Sequence, residues 1–186
     1  WLGSFLPAGS IVHLGYAWRL TAALMTIGTG GLSIVAFPAI AAHAATGRHA
    51  ELNAEIAHAL RLLVFLLLPV LLGLGVFAEP VVRLLFERGK FVAADTDAVA
   101  ALVRVYLGVV VGASAGDVLS RTLYSVHDTR TPVMISAVVF TLVIGFKFLL
   151  VGPAAAGALA AGTSVYYLLN AAVLAAILLR RFGRDM

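Results

Sequence analysis

The stretch "LLVFLLLPVLLGLGVFA", Leu62 to Ala78, carries no charged, hydroxyl or amide side chain. The hydrocarbon core of a bilayer is roughly 30 Å thick and takes about 20 helical residues to cross, so a run of this kind reads as a membrane-spanning helix. Pro69 in its middle predicts a kink, with the freed carbonyl satisfied by a neighbouring helix. The rest of the chain has the same character: 62% of its 186 residues are apolar, 12% are charged, and the mean hydropathy is +1.04. Such values lie far from those of a soluble domain. The other long runs are continuous Leu, Val and Ala without period-two alternation, which excludes a β-barrel reading. The chain therefore reads as an all-α polytopic membrane protein.

Working outward from Leu62, "RHAELNAEIAHALR" is an amphipathic lead-in to the span at 62–78. A longer first span is expected over 11–42, with Ser10 as its N-cap and Thr46 and Gly47 closing it. "WLGSFLPAG" ahead of it is expected to be the tail of an earlier span, with the upstream helices missing. On the other side, "EPVVRLLFERGKF" sets Val81, Val82, Leu84, Leu85 and Phe86 against Arg83, Glu87 and Arg88. It is too short to span, so an interfacial helix is expected at 80–89, stopped by Gly89. Three more spans are expected: 96–124 capped by Asp95, 132–151 capped by Thr131 with Pro132 at its first position, and 154–179 after the turn at Gly152 and Pro153. The sum is five spans, a stub and an interfacial helix.

A net charge of +4 would suggest nucleic acid in a soluble protein, but here the basic residues fall mostly between spans. They read as topology signals and headgroup contacts, and no nucleic-acid partner is expected. Five spans put the two ends on opposite sides. One side collects Arg48, Arg61, Arg121, Arg130, Arg180, Arg181 and Arg184, the other Arg83, Arg88, Lys90 and Lys147. The excess favours a cytoplasmic C-terminus.

Arg19, Arg104, Asp117 and Lys147 lie within expected spans. A charge at the centre of a lone helix costs from about 2.5 to above 10 kcal/mol, so each should face protein or a wet cavity. Arg104 and Lys147 are near enough to helix ends to snorkel. Asp117 can pair with Arg121 one turn on, or with Arg19 from the first span; spacing leaves both open. Arg19 has no acid three or four residues away and is the strongest functional candidate. Gly108, Gly112 and Gly116 form consecutive G-x-x-x-G steps suited to close helix packing. Gly28, Gly30 and Gly31, with Pro38, loosen the second half of the first span, where bending or packing without motion both fit.

No enzyme chemistry is indicated. Cysteine is absent, and His43, His49, Glu55 and His58 form no H-E-x-x-H, so neither a metal nor a cofactor is expected. The glycines of the first span follow no strand and are no nucleotide motif.

The phrases "GSIVHLGYAWRL", "FPAIAAHAATGRHAELN", "EPVVRLLFERGKF" and above all "LSRTLYSVHDTRTPV" resemble the second half of the MurJ (MviN) family of bacterial lipid II flippases. That family sits in the multidrug/oligosaccharidyl-lipid/polysaccharide exporter superfamily, and the resemblance covers nearly the whole chain. It implies a multi-pass protein of the bacterial cytoplasmic membrane, of which this chain is one lobe. The implied activity is flipping of undecaprenyl-diphosphate-linked disaccharide pentapeptide, lipid II, by alternating access against the missing first lobe. The resemblance places Arg19 in a cationic cavity where its planar fork would hold diphosphate. Tyr16 and Trp18 beside it, and Asp117 and Arg121 from the third span, would line the same cavity. Gly28, Gly31, Pro69, Gly108, Gly112 and Gly116 would serve hinges or packing. Trp18 and Ala22 stand where the family carries acids, and Asp117 where it commonly carries lysine. Another exporter of the same superfamily, moving a lipid-linked oligosaccharide or a drug, is the alternative transport reading. A non-transporting membrane scaffold is the reading from a different class.

Overall fold

The computed structural model describes residues 9–26, 29, 32–46, 49–149 and 155–182. The chain is an all-α polytopic membrane protein, and among the described residues there is no strand. Six helices follow in order: α1 Ser10–Met25, α2 Leu32–Ala45, α3 His49–Phe86, α4 Ala93–Ser125, α5 Arg130–Leu149 and α6 Ala155–Phe182. Within α3 to α6, four segments are long and apolar enough to cross a membrane: Ala50–Phe86, Ala93–Ser125, Arg130–Lys147 and Ala156–Arg181. Gly28, Gly30 and Gly31, Arg48, and the expected stub up to residue 8 lie outside the described residues.

Helix α4 touches every other helix and forms the axis of the bundle. The expected first span divides into α1 and α2, and both run along α4 in its own direction. His13 of α1 meets Asp95 at 2.8 Å near the start of α4, while the Phe37 ring of α2 lies 6.0 Å from the Arg121 guanidinium near its end. Helix α3 runs the opposite way: Leu74, Ala78 and Val82 pack with Val99 and Val103, whereas Leu52, Ala59 and Leu63 pack with Val118 and Leu123.

The three α4 glycines face α6. A Cβ on Gly112 would stand 2.4 Å from the Tyr167 carbonyl carbon, and one on Gly108 would stand 3.0 Å from the Ser164 side chain. Backbones this close let Ser164 Oγ donate to the Val105 carbonyl across the interface at 2.7 Å. At Gly116 the nearest neighbour is 3.9 Å away, which is ordinary contact.

Helix ends differ from the sequence expectation in instructive ways. Ser10 is already helical and Gly9, at φ 89°, precedes it. Asp95 lies in the first turn of α4 and reaches back to accept the Val92 N–H at 2.9 Å. At the far end His127 takes a left-handed φ of 63°, its N–H donates to Tyr124 and that of Asp128 to Leu123. This is a Schellman closure. Asp128, rather than Thr131, then caps α5: its carboxylate accepts the Thr131 N–H at 3.0 Å and the Thr131 hydroxyl at 2.6 Å, and also binds Arg181 of α6.

Helical dihedrals hold on both sides of Pro69, and the break in α3 falls at Phe77 (φ −96°, ψ 19°). The cause is Pro80, whose ring crowds the carbonyl four residues back and which has no N–H to offer it. The segment expected as a separate interfacial helix at 80–89 thus continues α3 to Phe86, and Gly89 (φ 66°) turns the chain beyond it. Arg104 Nε donates to the Gly75 carbonyl at 3.0 Å, beside the break.

Gly112→Ala is expected to lower the stability of the full-length protein by about 1–3 kcal/mol through overpacking, although alanine favours the helix. Gly116→Ala should leave the melting temperature in detergent unchanged or raise it. A pH series gives a second check. The Thr131 hydroxyl and N–H, followed by Arg181, pull the Asp128 carboxyl from 3.8 down to about 2. A depressed folded pKa contributes stability that is complete above about pH 4 and is lost as pH falls toward 2. Asp128→Asn should therefore lower the melting temperature at pH 7 and make its fall between pH 4 and pH 2 shallower.

Candidate functional site

A cavity of about 430 Å³ opens between α4, α6 and the end of α1. Helix α4 supplies Gly112, Gly116, Asp117, Ser120, Arg121 and Tyr124; α6 supplies Tyr166, Tyr167 and Asn170; Ser136 comes from α5, and Met25 and Thr29 come from the α1 side. The glycines leave the space and the tyrosines wall it. Asn170 Nδ2 donates to Ser136 Oγ at 3.0 Å, tying the α6 wall to α5.

Asp117 and Arg121 form an ion pair in this cavity, with Arg121 Nε donating to Asp117 Oδ2 at 2.9 Å. The four-residue spacing puts the two on one face of α4. The pairing removes most of the net charge, and with the hydroxyl and amide lining it leaves a site suited to hydrogen-bonding an uncharged polar group.

Arg19 lies elsewhere. Trp18, next to Arg19, meets Tyr106, 11 residues before Asp117. With α1 and α4 parallel and a rise of about 1.5 Å per residue, Arg19 and Asp117 are about 15 Å apart along the bundle. Arg19 is exposed, its guanidinium sits 5.7 Å from the Tyr16 ring centroid, and no described carboxylate is within ion-pair distance of it. Trp18 packs edge-on against Tyr106 at 5.7 Å. Tyr16 meets the rings of Phe86 and Phe91 at 5.0 and 5.2 Å. The five residues that the sequence grouped in one cavity thus form two groups. Asp117 and Arg121 line the cavity with Gly112 and Gly116, and Tyr16, Trp18 and Arg19 occupy the other half of the bundle. Tyr124, Tyr166, Tyr167, Ser136 and Asn170 escaped the sequence reading; the polar and aromatic run "TSVYYLLN" inside an apolar helix was the signal for Tyr166, Tyr167 and Asn170.

The remaining intramembrane cations hold neutral partners. Lys147 Nζ donates to Thr163 Oγ1 at 2.9 Å, and Arg104 holds the Gly75 carbonyl. Among the described residues no group of three His, Asp or Glu side chains could hold a metal.

Apolar helices whose outer faces present Phe65, Val76, Leu84 and Leu142, with an open polar cleft between them that holds an ion pair, define a polytopic membrane protein with a polar site on its bundle. The family model described as "Lipid II flippase MurJ" matches residues 1–185, and the chain belongs to that family. A relative described as "Probable lipid II flippase MurJ" from Vibrio cholerae is 31% identical over 186 residues, covering 93% of this chain and 33% of the relative. One of the same description from Bdellovibrio bacteriovorus is 30% identical over 138 residues, 74% of this chain and 26% of the relative. "Lipid II flippase MurJ" of Thermosipho africanus is 26% identical over 123 residues, 63% of this chain and 26% of the relative. The chain thus spans a third or less of each of these relatives.

If Asp117 neutralises Arg121, Asp117→Asn should strengthen binding of inorganic pyrophosphate to the full-length protein by about fivefold, the weight of a partly exposed pair worth about 1 kcal/mol. Adding Arg121→Gln should cancel the gain. Titration calorimetry in detergent reads both, and equal affinity of Asp117→Asn and wild type would mean that the pair does not set the charge of the cavity.

Proposed function

We propose that this chain is part of a lobe of a flippase that carries lipid II across the bacterial cytoplasmic membrane by alternating access. The observation that carries this reading is the family match over residues 1–185. The whole transport cycle belongs to the longer protein, since rocking requires a second lobe for this one to close against. The Arg19 guanidinium is the proposed diphosphate contact. A diphosphate cannot leave the headgroup region without partners, and Arg19 offers a permanently charged fork that no described carboxylate neutralises. The neutralised cavity at Asp117 and Arg121 suits the hydroxyls and amides of a glycopeptide headgroup better than its phosphates. The same reading has the C-terminus in the cytoplasm, supported by the excess of basic residues on the side of Arg61, Arg130, Arg180 and Arg181.

The full-length protein should restore growth to a strain depleted of its own MurJ. Arg19→Ala should abolish that rescue at equal membrane abundance, and Arg19→Lys, which keeps the charge without the fork, should rescue partially. Normal growth of Arg19→Ala would remove Arg19 from the site. Failure of the wild type to rescue despite correct insertion would instead favour a membrane scaffold or an exporter of a different lipid-linked cargo.

A further inference from the structure

The end of the bundle opposite Asp128 and Arg181 carries two adjoining pockets. One, of about 500 Å³, is lined by Tyr16, Leu85, Phe86, Arg88, Lys90 and Phe91. The other, of about 240 Å³, shares Tyr16, Lys90 and Phe91 and reaches His13 and Asp95. The carboxylates at this end are largely committed. Glu79 and Glu87 both bind Arg83, Glu87 also takes the Thr96 hydroxyl at 2.8 Å, and Asp95 is held by His13 and the Val92 N–H. Asp97 is exposed further along α4 and lines neither pocket. Arg88 and Lys90 therefore keep their charge: Arg88 touches just the Leu85 carbonyl, at 3.3 Å, and Lys90 has no described carboxylate near it.

Apolar surface surrounds these two cations. Leu84 is 79% exposed, and Ile11, Val12, Leu85 and Val92 are exposed as well. The mutually packed rings of Tyr16, Phe86 and Phe91 form the wall between the apolar surface and the charges. Aromatic rings at an apolar-to-charged boundary are the composition of a membrane–water interface, and a cation just above it meets lipid phosphate. The break at Phe77 and the left-handed turn at Gly89 set this geometry. Chain that has left α3 is turned back toward α1, bringing Lys90 and Phe91 beside Tyr16.

We infer that Arg88 and Lys90, over the Tyr16–Phe86–Phe91 wall, form a binding site for the phosphate of an anionic phospholipid whose acyl chains lie along Leu84, Leu85 and Val92. A phosphodiester fills the larger pocket, Arg88 and Lys90 take its oxygens, and the lipid holds the end of α3 against α1. The site adjoins the proposed cargo contact, since the Tyr16 ring that walls it also lies under the Arg19 guanidinium, but its own cations are Arg88 and Lys90 and it stands whatever the cargo is.

The test uses the full-length protein in nanodiscs of phosphatidylcholine with increasing phosphatidylglycerol, reading both melting temperature and the phosphatidylglycerol retained after exchange. Wild type should be stabilised by phosphatidylglycerol and retain it. Arg88→Gln/Lys90→Gln should melt as wild type in pure phosphatidylcholine yet bind phosphatidylglycerol roughly 30-fold more weakly, the weight of two basic residues at an anionic surface. Arg88→Lys/Lys90→Arg should keep binding, and Arg83→Gln, whose partner charges are already internal, should change it little. Equal retention by wild type and the double Gln variant would overturn the assignment. So would equal stabilisation by phosphatidylcholine alone, or by inorganic phosphate, which would mark the pocket as a soluble-anion site.

Discussion

The backbone of α6 lies on that of α4 at Gly112, and the rest of the described bundle depends on that contact. In a bilayer the lipid is as apolar as leucine, so helices associate through close packing and interhelical hydrogen bonds. A methyl group at Gly112 would meet the Tyr167 carbonyl carbon at 2.4 Å, so any other residue pushes the helices apart. With them together, Ser164 reaches the Val105 carbonyl, Asn170 reaches Ser136 and Arg181 reaches Asp128. Helix α5 is held through these last two bonds more than by α4, with which it shares little surface. The cavity is a product of the same choice, because the glycines that admit α6 leave room beside it for Tyr166, Tyr167 and the Asp117–Arg121 pair.

Helix α3 shows the opposite strategy, in which a local defect is kept. Pro80 disturbs the carbonyls one turn before it, and the dihedrals depart from helical at Phe77. An unsatisfied carbonyl costs several kcal/mol where water is absent. Pro80 leaves the Val76 carbonyl without its usual donor, and Arg104 of α4 donates to the neighbouring Gly75 carbonyl. A side chain that would be expensive in lipid thus meets a backbone carbonyl beside the break.

How much of this could be read from residues follows the range of each interaction. The helices and their apolar faces were legible because periodicity is local, and so was the Asp117–Arg121 option, which needs just four residues of one helix. The choice between Arg121 and Arg19 as partner was not, since it turns on how far α1 lies along α4, a distance fixed by Trp18 and Tyr106. The sequence reading put a kink at Pro69, whereas the dihedrals leave the helical range at Phe77, one turn before Pro80; both prolines interrupt the same hydrogen-bond ladder, and residue type alone does not rank them. The cap of α5 was assigned to Thr131, although Asp128 caps it, because the Schellman turn at His127 brings that carboxylate round. Tyr124, Tyr166 and Tyr167 drew no reading, because the glycine contact that places α6 beside α4 joins residues far apart in the chain.

The intramembrane charges then sort by what holds them. Arg121 is matched by a carboxylate, Lys147 by the Thr163 hydroxyl, Arg104 by a backbone carbonyl and Arg19 by the face of Tyr16. A carboxylate cancels the charge it binds, whereas a hydroxyl, a carbonyl or a ring orients a cation and leaves its charge in place. Trp18, standing where the resemblance led one to expect an acid, follows the same logic: its ring packs on Tyr106 and adds nothing that would quench Arg19. The neutralised pair lies in one half of the bundle, and a guanidinium that keeps its charge lies in the other.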